Sequence, residues 1–348
     1  IMGCVMQAGA QALNVGRNAV LAAGWPESVP STTIDRQCGS SQQAYHFAAQ
    51  GVMAGAYDVA VAAGVEVMSL VPMGASISRN VGFPFGAAMD RYADVELLDG
   101  HPGLIGQGLS AEVIANEWGI SREDLDAYGA LSQQRAEKAA DEGRFDNEII
   151  PVVSKIRDQE TGEVKVLDTM HTRDEGIRPG TSAEGLAKLK ASFLEDGKVT
   201  AGNSSQICDG ASAALIMSAD KAAELGLKPR ARFRSFALAG VDPVRMLTGP
   251  IPATTKVLEK AGLSIDEIDH IEINEAFASV VLAWAKEHNP DMAKVNPNGG
   301  AIALGHPLGG SGAKLLATML NELERTGGRL GLQTMCEGGG QANVTIIE

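Results

Sequence analysis

Basic side chains are scarce in this 348-residue chain. Lys and Arg number 29 against 43 Asp and Glu, a formal net charge of −14 with a pI near 4.9. No broad basic face is available to neutralise phosphates, which excludes a nucleic acid as the main partner. An anionic ligand must find a local cluster of cations instead. Cysteine is scarce too: Cys4, Cys38, Cys208 and Cys336 are the only four. That is too few for a disulfide scaffold of this size, so a reducing, cytoplasmic compartment is the expectation. No apolar run reaches the ~20 residues of a membrane span. No secretory signal is visible, and the chain opens at Ile1 inside a strand-like run. No Cys/His spacing marks a metal site. Aromatic residues make up only 4%, which decides nothing about assembly.

Glycine, by contrast, is abundant at 41 residues, suiting tight turns and close backbone approach. The chain is 45% hydrophobic, enough to fill the core of more than one domain. Strand-like segments at 1–5, 31–35 and 58–63 alternate with helix-like segments at 13–23 and 40–54, and 213–217 closes this set. The order returns later: a strand at 269–273, a helix at 275–287, an extended piece at 295–300, a helix at 312–324, then strands at 330–335 and 343–347. Such alternation predicts an α/β fold of parallel sheets covered by helices. Two repeated halves are expected, 1–68 plus 207–228 and 229–348, with an inserted lobe at 69–206 between them. The lobe is richer in charge and carries an amphipathic helix from Ser121 to Ala139 that opens on a capping box. Two facing halves bring the turns after equivalent strands together, where α/β folds place their sites.

Cys38, Asn274, His306 and Cys336 all fall on such turns. Cys38 follows a β-branched run and precedes a small-residue helix. A sulfur there faces unpaired helix N–H groups, which favour thiolate over thiol. Each residue has a blander reading. A buried Cys commonly packs as a small apolar residue, His306 in a Gly-Pro loop can simply bond backbone, Asn274 reads as a helix N-cap, and Gly338 to Gly340 as a turn. None of these explains four residues at equivalent points of a repeat. His46, His270 and His288 carry no motif, and Cys4 and Cys208 read as packing residues.

Four blocks resemble the thiolases, enzymes that make or break 3-ketoacyl-CoA: Cys38-Gly39-Ser40-Ser41, Asn274-Glu275-Ala276-Phe277-Ala278, Gly299-Gly300-Ala301-Ile302-Ala303-Leu304-Gly305-His306-Pro307, and Cys336-Glu337-Gly338-Gly339-Gly340. They come in the family's order and span nearly the whole chain. The resemblance implies a thiolase-like fold of two αβαβα-type halves, here without the family's opening strand and helix. It implies that Cys38 is the nucleophile, His306 its activator and Cys336 the acid and base. It further implies that Asn274 positions a water for one enolate oxygen, and that the N–H groups of Cys38 and Gly338 form the other oxyanion hole. CoA contacts are expected from Arg178, Lys188 and Ser205, the last in a loop resembling the family's serine-containing CoA-binding loop. CoA and acyl-CoA are then substrates, and no separate cofactor is expected. Subunits are expected to pair as a homodimer or homotetramer.

Those residue types suit the reaction. Breaking a carbon–carbon bond beside a ketone needs a soft nucleophile that forms a thioester, an oxyanion hole and a second group that moves a proton. Short-chain biosynthetic thiolases often carry a His-Met pair ahead of the stretch matching Ser110-Ala111-Glu112; here Gly106-Gln107 stands there, which implies a roomier acyl pocket. The leading expectation is thiolytic cleavage of 3-ketoacyl-CoA to acetyl-CoA and a shortened acyl-CoA, reversible as a Claisen condensation. The alternatives are a biosynthetic acetoacetyl-CoA thiolase, a decarboxylating ketosynthase (for which a second histidine is lacking) and a non-catalytic acyl-CoA-binding protein.

Overall fold

A computed structural model describes residues 1–77, 82–158 and 160–348. Among the described residues ten strands form three sheets: β1 Met2–Gly3, β2 Thr33–Ile34, β3 Val59–Val67, β4 Val152–Arg157, β5 Val164–His171, β6 Asp209–Met217, β7 Phe233–Gly240, β8 His270–Ile273, β9 Gly331–Glu337 and β10 Gln341–Ile347. The first sheet has the order β2-β1-β3-β6 and the second β7-β10-β9-β8. In the first, β1 runs parallel to β2 and β3 while β6 is antiparallel to β3. In the second, β8 and β9 are parallel and β10 is antiparallel to β9. A single parallel bridge from Ile271 to Val295 stands beyond β8. The repeat read in the sequence therefore exists as two sheets of like topology, with one difference. An extra edge strand, β7, lies antiparallel to β10, whereas β6 has no outer neighbour among the described residues.

The halves meet through two central helices, Ser40–Met53 and Ser311–Thr326. Gly312 allows this contact: a Cβ there would stand 2.2 Å from the Gln42 backbone nitrogen. The Ala313 N–H donates to Ser41 Oγ at 3.0 Å across the seam. Glu66 at the end of β3 adds a second tie. It is fully buried and accepts from the N–H groups of Val5, Met6 and, in the other half, Gly309. The largest apolar cluster is centred on the second half, with Trp284, Ile271, Ile273, Leu332 and Val344, and is joined by Ile114 and Leu125 of the lobe. No helix among the described residues is long and apolar enough to cross a membrane.

Several expected boundaries move. The helix after Asn274 begins at Ala278, because Phe277 is extended (φ −146°, ψ 150°) and bridges Ser204. Phe277, not Asn274, is thus the N-cap position, and the Asn274 side chain is free for other work. β9 runs through Glu337, so Cys336 sits in the strand instead of on the turn after it. The 295–300 segment contributes one bridge and no strand. The Ser121 capping box is present, with Asp124 N–H to Ser121 Oγ at 3.1 Å, and opens the helix Arg122–Asp141. The sequence reading did not mark the β4–β5 hairpin, β7, or the helices Gln107–Glu117 and Pro250–Ala261. The last had clear punctuation: Pro250 at its first turn and Gly262 in the left-handed conformation at its end.

Candidate active site

Cys38, Asn274, His306 and Cys336 are all buried, none more than 4% exposed. His306 is held by local chemistry. Ser311, first residue of its helix, donates its hydroxyl hydrogen to the Pro307 carbonyl at 2.9 Å. With that hydrogen committed, Ser311 Oγ accepts from His306 Nδ1–H at 2.6 Å. Nε2 then carries the lone pair, and it accepts from Asn274 Nδ2 at 3.3 Å. Burial lowers the His306 pKa to about 4, so the imidazole is neutral at pH 7. Ser311 was not singled out in the sequence; its spacing five residues after His306, at a helix start, was the available signal.

Cys38 precedes the Ser40–Met53 helix, as the strand-to-helix pattern predicts, and the backbone N–H groups of Cys38 and Gly338 act to lower its thiol pKa. Cys336, on β9, lies close enough for its own thiol to be raised by burial, then by Cys38 and Glu337. Of the expected catalytic groups, Asn274 and His306 are in direct contact, and Cys38 and Cys336 are near enough for the charge of the first to raise the thiol of the second. One expectation fails. The helix N-terminus does not leave Cys38 an easy thiolate: burial, then the Glu337 charge, push its thiol up to about 12, against the opposing pull of the N–H donors. The resting site is a dithiol, and the proton must leave as chemistry begins.

Glu337 and Glu275 are acids whose roles the sequence reading missed. Glu337 packs against Gly39, where a Cβ would lie 2.1 Å from its Oε1. Its Oε2 lies 3.0 Å from Arg36 Nε, and its side chain is fully buried. Burial outweighs the Arg36 charge and raises the carboxyl to about 8. Glu275 is fully buried and accepts from Tyr128 Oη at 2.9 Å, Ser132 Oγ at 2.6 Å, Asn296 Nδ2 at 3.0 Å and Ile302 N at 3.2 Å. It clamps the lobe helix and the loop leading to His306 onto the Asn274 turn.

The expected CoA contacts are less buried than this centre, and the loop carrying Ser205 adjoins it, since the Gln206 carbonyl accepts from the His306 N–H at 3.0 Å. Arg178 is exposed, with its guanidinium 3.4 Å from Gln206 Oε1. Ser205 is half-buried one residue away, its N–H bonded to Ala276 O at 2.9 Å. Lys188 is exposed just after the short helix Ala183–Leu186. Arg178 and Ser205 thus flank one residue, Gln206, whereas no bond joins Lys188 to them. No group of three or more His, Cys, Asp or Glu side chains among the described residues is arranged to hold a metal.

Comparison with known proteins points to one family. The thiolase N-terminal domain matches residues 1–220 and the thiolase C-terminal domain residues 227–348. A steroid 3-ketoacyl-CoA thiolase, FadA6, of Mycobacterium tuberculosis is 51% identical, over 100% of this chain and 82% of that protein. An acetyl-CoA acetyltransferase of Chromobacterium violaceum is 45% identical, over 100% and 87%. The crystal structure of human mitochondrial 3-ketoacyl-CoA thiolase superposes with a TM-score of 0.85 at 36% identity, covering 100% of this chain and 86% of that one. The chain belongs to the thiolase family.

Proposed function

We propose that this protein is an acetyl-CoA C-acyltransferase that cleaves 3-ketoacyl-CoA with CoA through an acyl-enzyme on Cys38. The observation that carries the reading is that two buried thiols, Cys38 and Cys336, lie near enough for the charge of one to raise the other, in one chain with a buried histidine whose Nδ1 bonds Ser311. His306 Nε2 takes the Cys38 proton as the sulfur attacks the 3-keto carbon. The S–C bond forms, the C2–C3 bond breaks, and the electron pair passes to the acetyl-CoA enolate. Cys336 protonates C2, releasing acetyl-CoA. The Cys336 thiolate then takes the proton of incoming CoA, whose sulfur attacks the thioester. Cys38 leaves and recovers its proton from His306, and every proton is returned. The N–H groups of Cys38 and Gly338 stabilise the tetrahedral oxyanion, and Asn274 orients the enolate side. Run backwards, the same groups carry out the condensation.

Arg178, Ser205 and Lys188 are assigned to CoA, supported by their place on the lobe and by the need for local positive charge on an acidic chain. A bulky acyl group is favoured over acetoacetyl. Beside Gly106 a Cβ would meet nothing within 4 Å, and a relative at 51% identity is named for steroid substrates. Thiolysis assays of acetoacetyl-CoA against long-chain and polycyclic 3-ketoacyl-CoA test both points. Loss of turnover in Cys38→Ala supports the nucleophile, and unchanged turnover removes it. Strict preference for acetoacetyl-CoA turns the assignment to the biosynthetic class. We also infer a homodimer or homotetramer. Ile150, Ile156, Val164 and Val166 stand 57–84% exposed on and beside the β4–β5 hairpin, and an isolated hairpin is marginal in water. Light scattering decides it. Four cysteines, all free, fit a cytoplasmic setting.

A further inference from the structure

The register of the two sheets sets one residue of the first half level with Cys336. In the second half β9 and β10 end on the pair Glu337 and Gln341, and Cys336 stands one residue before that end. In the first half β3 and β6 end on the pair Val67 and Asp209, and Glu66 stands one residue before that end. The parallel neighbours agree. Ile273 on β8 pairs with Thr334, two residues before Cys336, and Gly3 on β1 pairs with Gly64, two residues before Glu66. Each half thus puts a side chain at the same point of an inner strand, next to a loop of the other half. For Cys336 that neighbour is Cys38. For Glu66 it is the His306 loop, where the Gly309 N–H donates to Glu66 Oε2 at 2.9 Å.

Glu66 is fully buried. Its Oε2 also accepts from the Val5 N–H at 2.9 Å, and its Oε1 from the Met6 N–H at 3.0 Å and Gln11 Nε2 at 2.8 Å. Hydrogen bonds to a carboxylate are of the strong, charge-assisted kind. Three of these donors belong to the first half, and Gly309 alone comes from the second. Gly309 lies three residues after His306 and two before Ser311, the partner of His306 Nδ1. A Cβ on Gly309 would stand 2.7 Å from the Val65 carbonyl oxygen, so only glycine lets the loop sit this close to β3. We propose that Glu66 is a positioning residue of the thiolase reaction: through the Gly309 N–H it fixes the His306 loop against the half that carries Cys38, and so sets the reach between imidazole and thiol. The reaction it serves rests on the thiolase reading, although the bond it invokes does not.

The test sets Glu66→Gln against Gln11→Met. Glu66→Gln keeps the size but turns an NH2 group towards N–H donors, so the bond from Gly309 weakens. Gln11→Met takes a donor from the same carboxylate and leaves Gly309 in place. Thiolysis gives kcat and KM, and hydrogen exchange of the peptide spanning 305–311 reads the loop directly. Misplacing a reacting group by about 1 Å costs on the order of 10²-fold. In Glu66→Gln kcat is therefore expected to fall roughly 10- to 100-fold with KM within about twofold of wild type. The 305–311 peptide is expected to exchange about tenfold faster. Gln11→Met is expected to lower the melting temperature but to keep wild-type kcat and wild-type exchange in that peptide. Wild-type kcat in Glu66→Gln overturns the proposal. So do equal losses of kcat in the two variants, because the effect then follows stability and not the loop, and so does equal exchange of the peptide in all three proteins. If Glu66→Gln does not fold, Glu66→Asp, which keeps the charge and shortens the reach by one methylene, takes its place with the same outcomes. A wild type that cleaves no 3-ketoacyl-CoA, while Glu66→Gln still loosens the peptide and Gln11→Met does not, overturns the thiolase reading and leaves the tie to Gly309 standing.

Discussion

The two sheets share a topology but not an environment. In the second, β8 and β9 are buried along their whole length and β10 at all but its first residue. In the first, β6 alternates exposed and half-buried along most of its length, and β3 is fully buried only at its centre and at Glu66. The proposed catalytic groups divide unequally as well. Asn274, His306 and Cys336 stand on the buried half, and the first half brings only Cys38. The difference shows how a reactive thiol can be positioned by a half that is itself loosely covered. Its helix packs on the partner helix at Gly312. Gln42 Nε2 reaches Gln333 O on β9 at 3.2 Å. The Gly39 carbonyl accepts from Asn343 Nδ2 on β10 at 3.0 Å. The proposed nucleophile is held by the second half as much as by its own.

The largest expected effect tests the division of chemistry. His306→Ala removes the imidazole whose Nε2 accepts from Asn274, and general-base loss costs ~10²–10⁴ in rate. Thiolysis is expected to fall by about that factor while the melting temperature stays near wild type. Activity within tenfold of wild type would mean that the second half is scaffold only. Next in size is a packing contrast. Trp284 is fully buried in the second half's cluster and donates from Nε1 to Thr254 Oγ1 at 3.0 Å. Trp284→Ala is expected to destabilise by ~3–5 kcal/mol in urea unfolding, because a large cavity and an orphaned hydroxyl both remain. A loss below about 1 kcal/mol, set against that range, would show the second half to be less tightly packed than its burial implies.

A third prediction concerns the acid between the halves. Glu337 is held above the usual carboxylate range, at about 8, by burial against the weaker pull of Arg36. The folded state therefore keeps a proton that the unfolded chain gives up near pH 4.5. The stability tied to that proton is complete below pH 4.5 and is lost as pH rises towards 8. Glu337→Gln cannot titrate, so its stability should fall less over that window. The gap between variant and wild type should grow by ~2–4 kcal/mol from pH 5 to pH 8.5. Urea midpoints at those two pH values measure it, and parallel curves would show that Glu337 is ionised throughout.

Much of this was legible in the sequence, for a physical reason. Cys38, Asn274, His306 and Cys336 sit where local patterns change, at a strand end, a Gly-Pro loop or a helix start, and local patterns are readable from neighbours in the chain. What was missed depends on partners far away. Glu275 reads as one acid in a motif until Tyr128 and Ser132, more than 140 residues earlier, are seen to donate to it. The β4–β5 hairpin escaped because Lys155, Arg157, Lys165 and Asp168 interrupt its apolar residues, so it resembles a charged loop. The helix expected at 275 begins at 278 because Phe277 prefers a cross-chain bridge to Ser204 over a first helical turn.

The smallest predicted effect bears most directly on the comparison. Leu215 on β6 is 58% exposed, and Ile216 beside it is 8% exposed. The two side chains point to opposite faces of one strand, so they sample the covered and uncovered faces of the same sheet. Ile216 belongs to the cluster that carries Tyr45 and Met319, and truncating it to Ala should cost ~2–4 kcal/mol. Leu215→Ser should change stability by no more than ~0.5 kcal/mol, since little area leaves water when the chain folds. Urea unfolding of the two variants side by side reads the difference. If Leu215→Ser proves as costly as Ile216→Ala, the outer face of β6 is covered in the protein in solution. The first half would then match the second in packing, and the unequal burial of the two sheets would not be the reason the chemistry is divided between them.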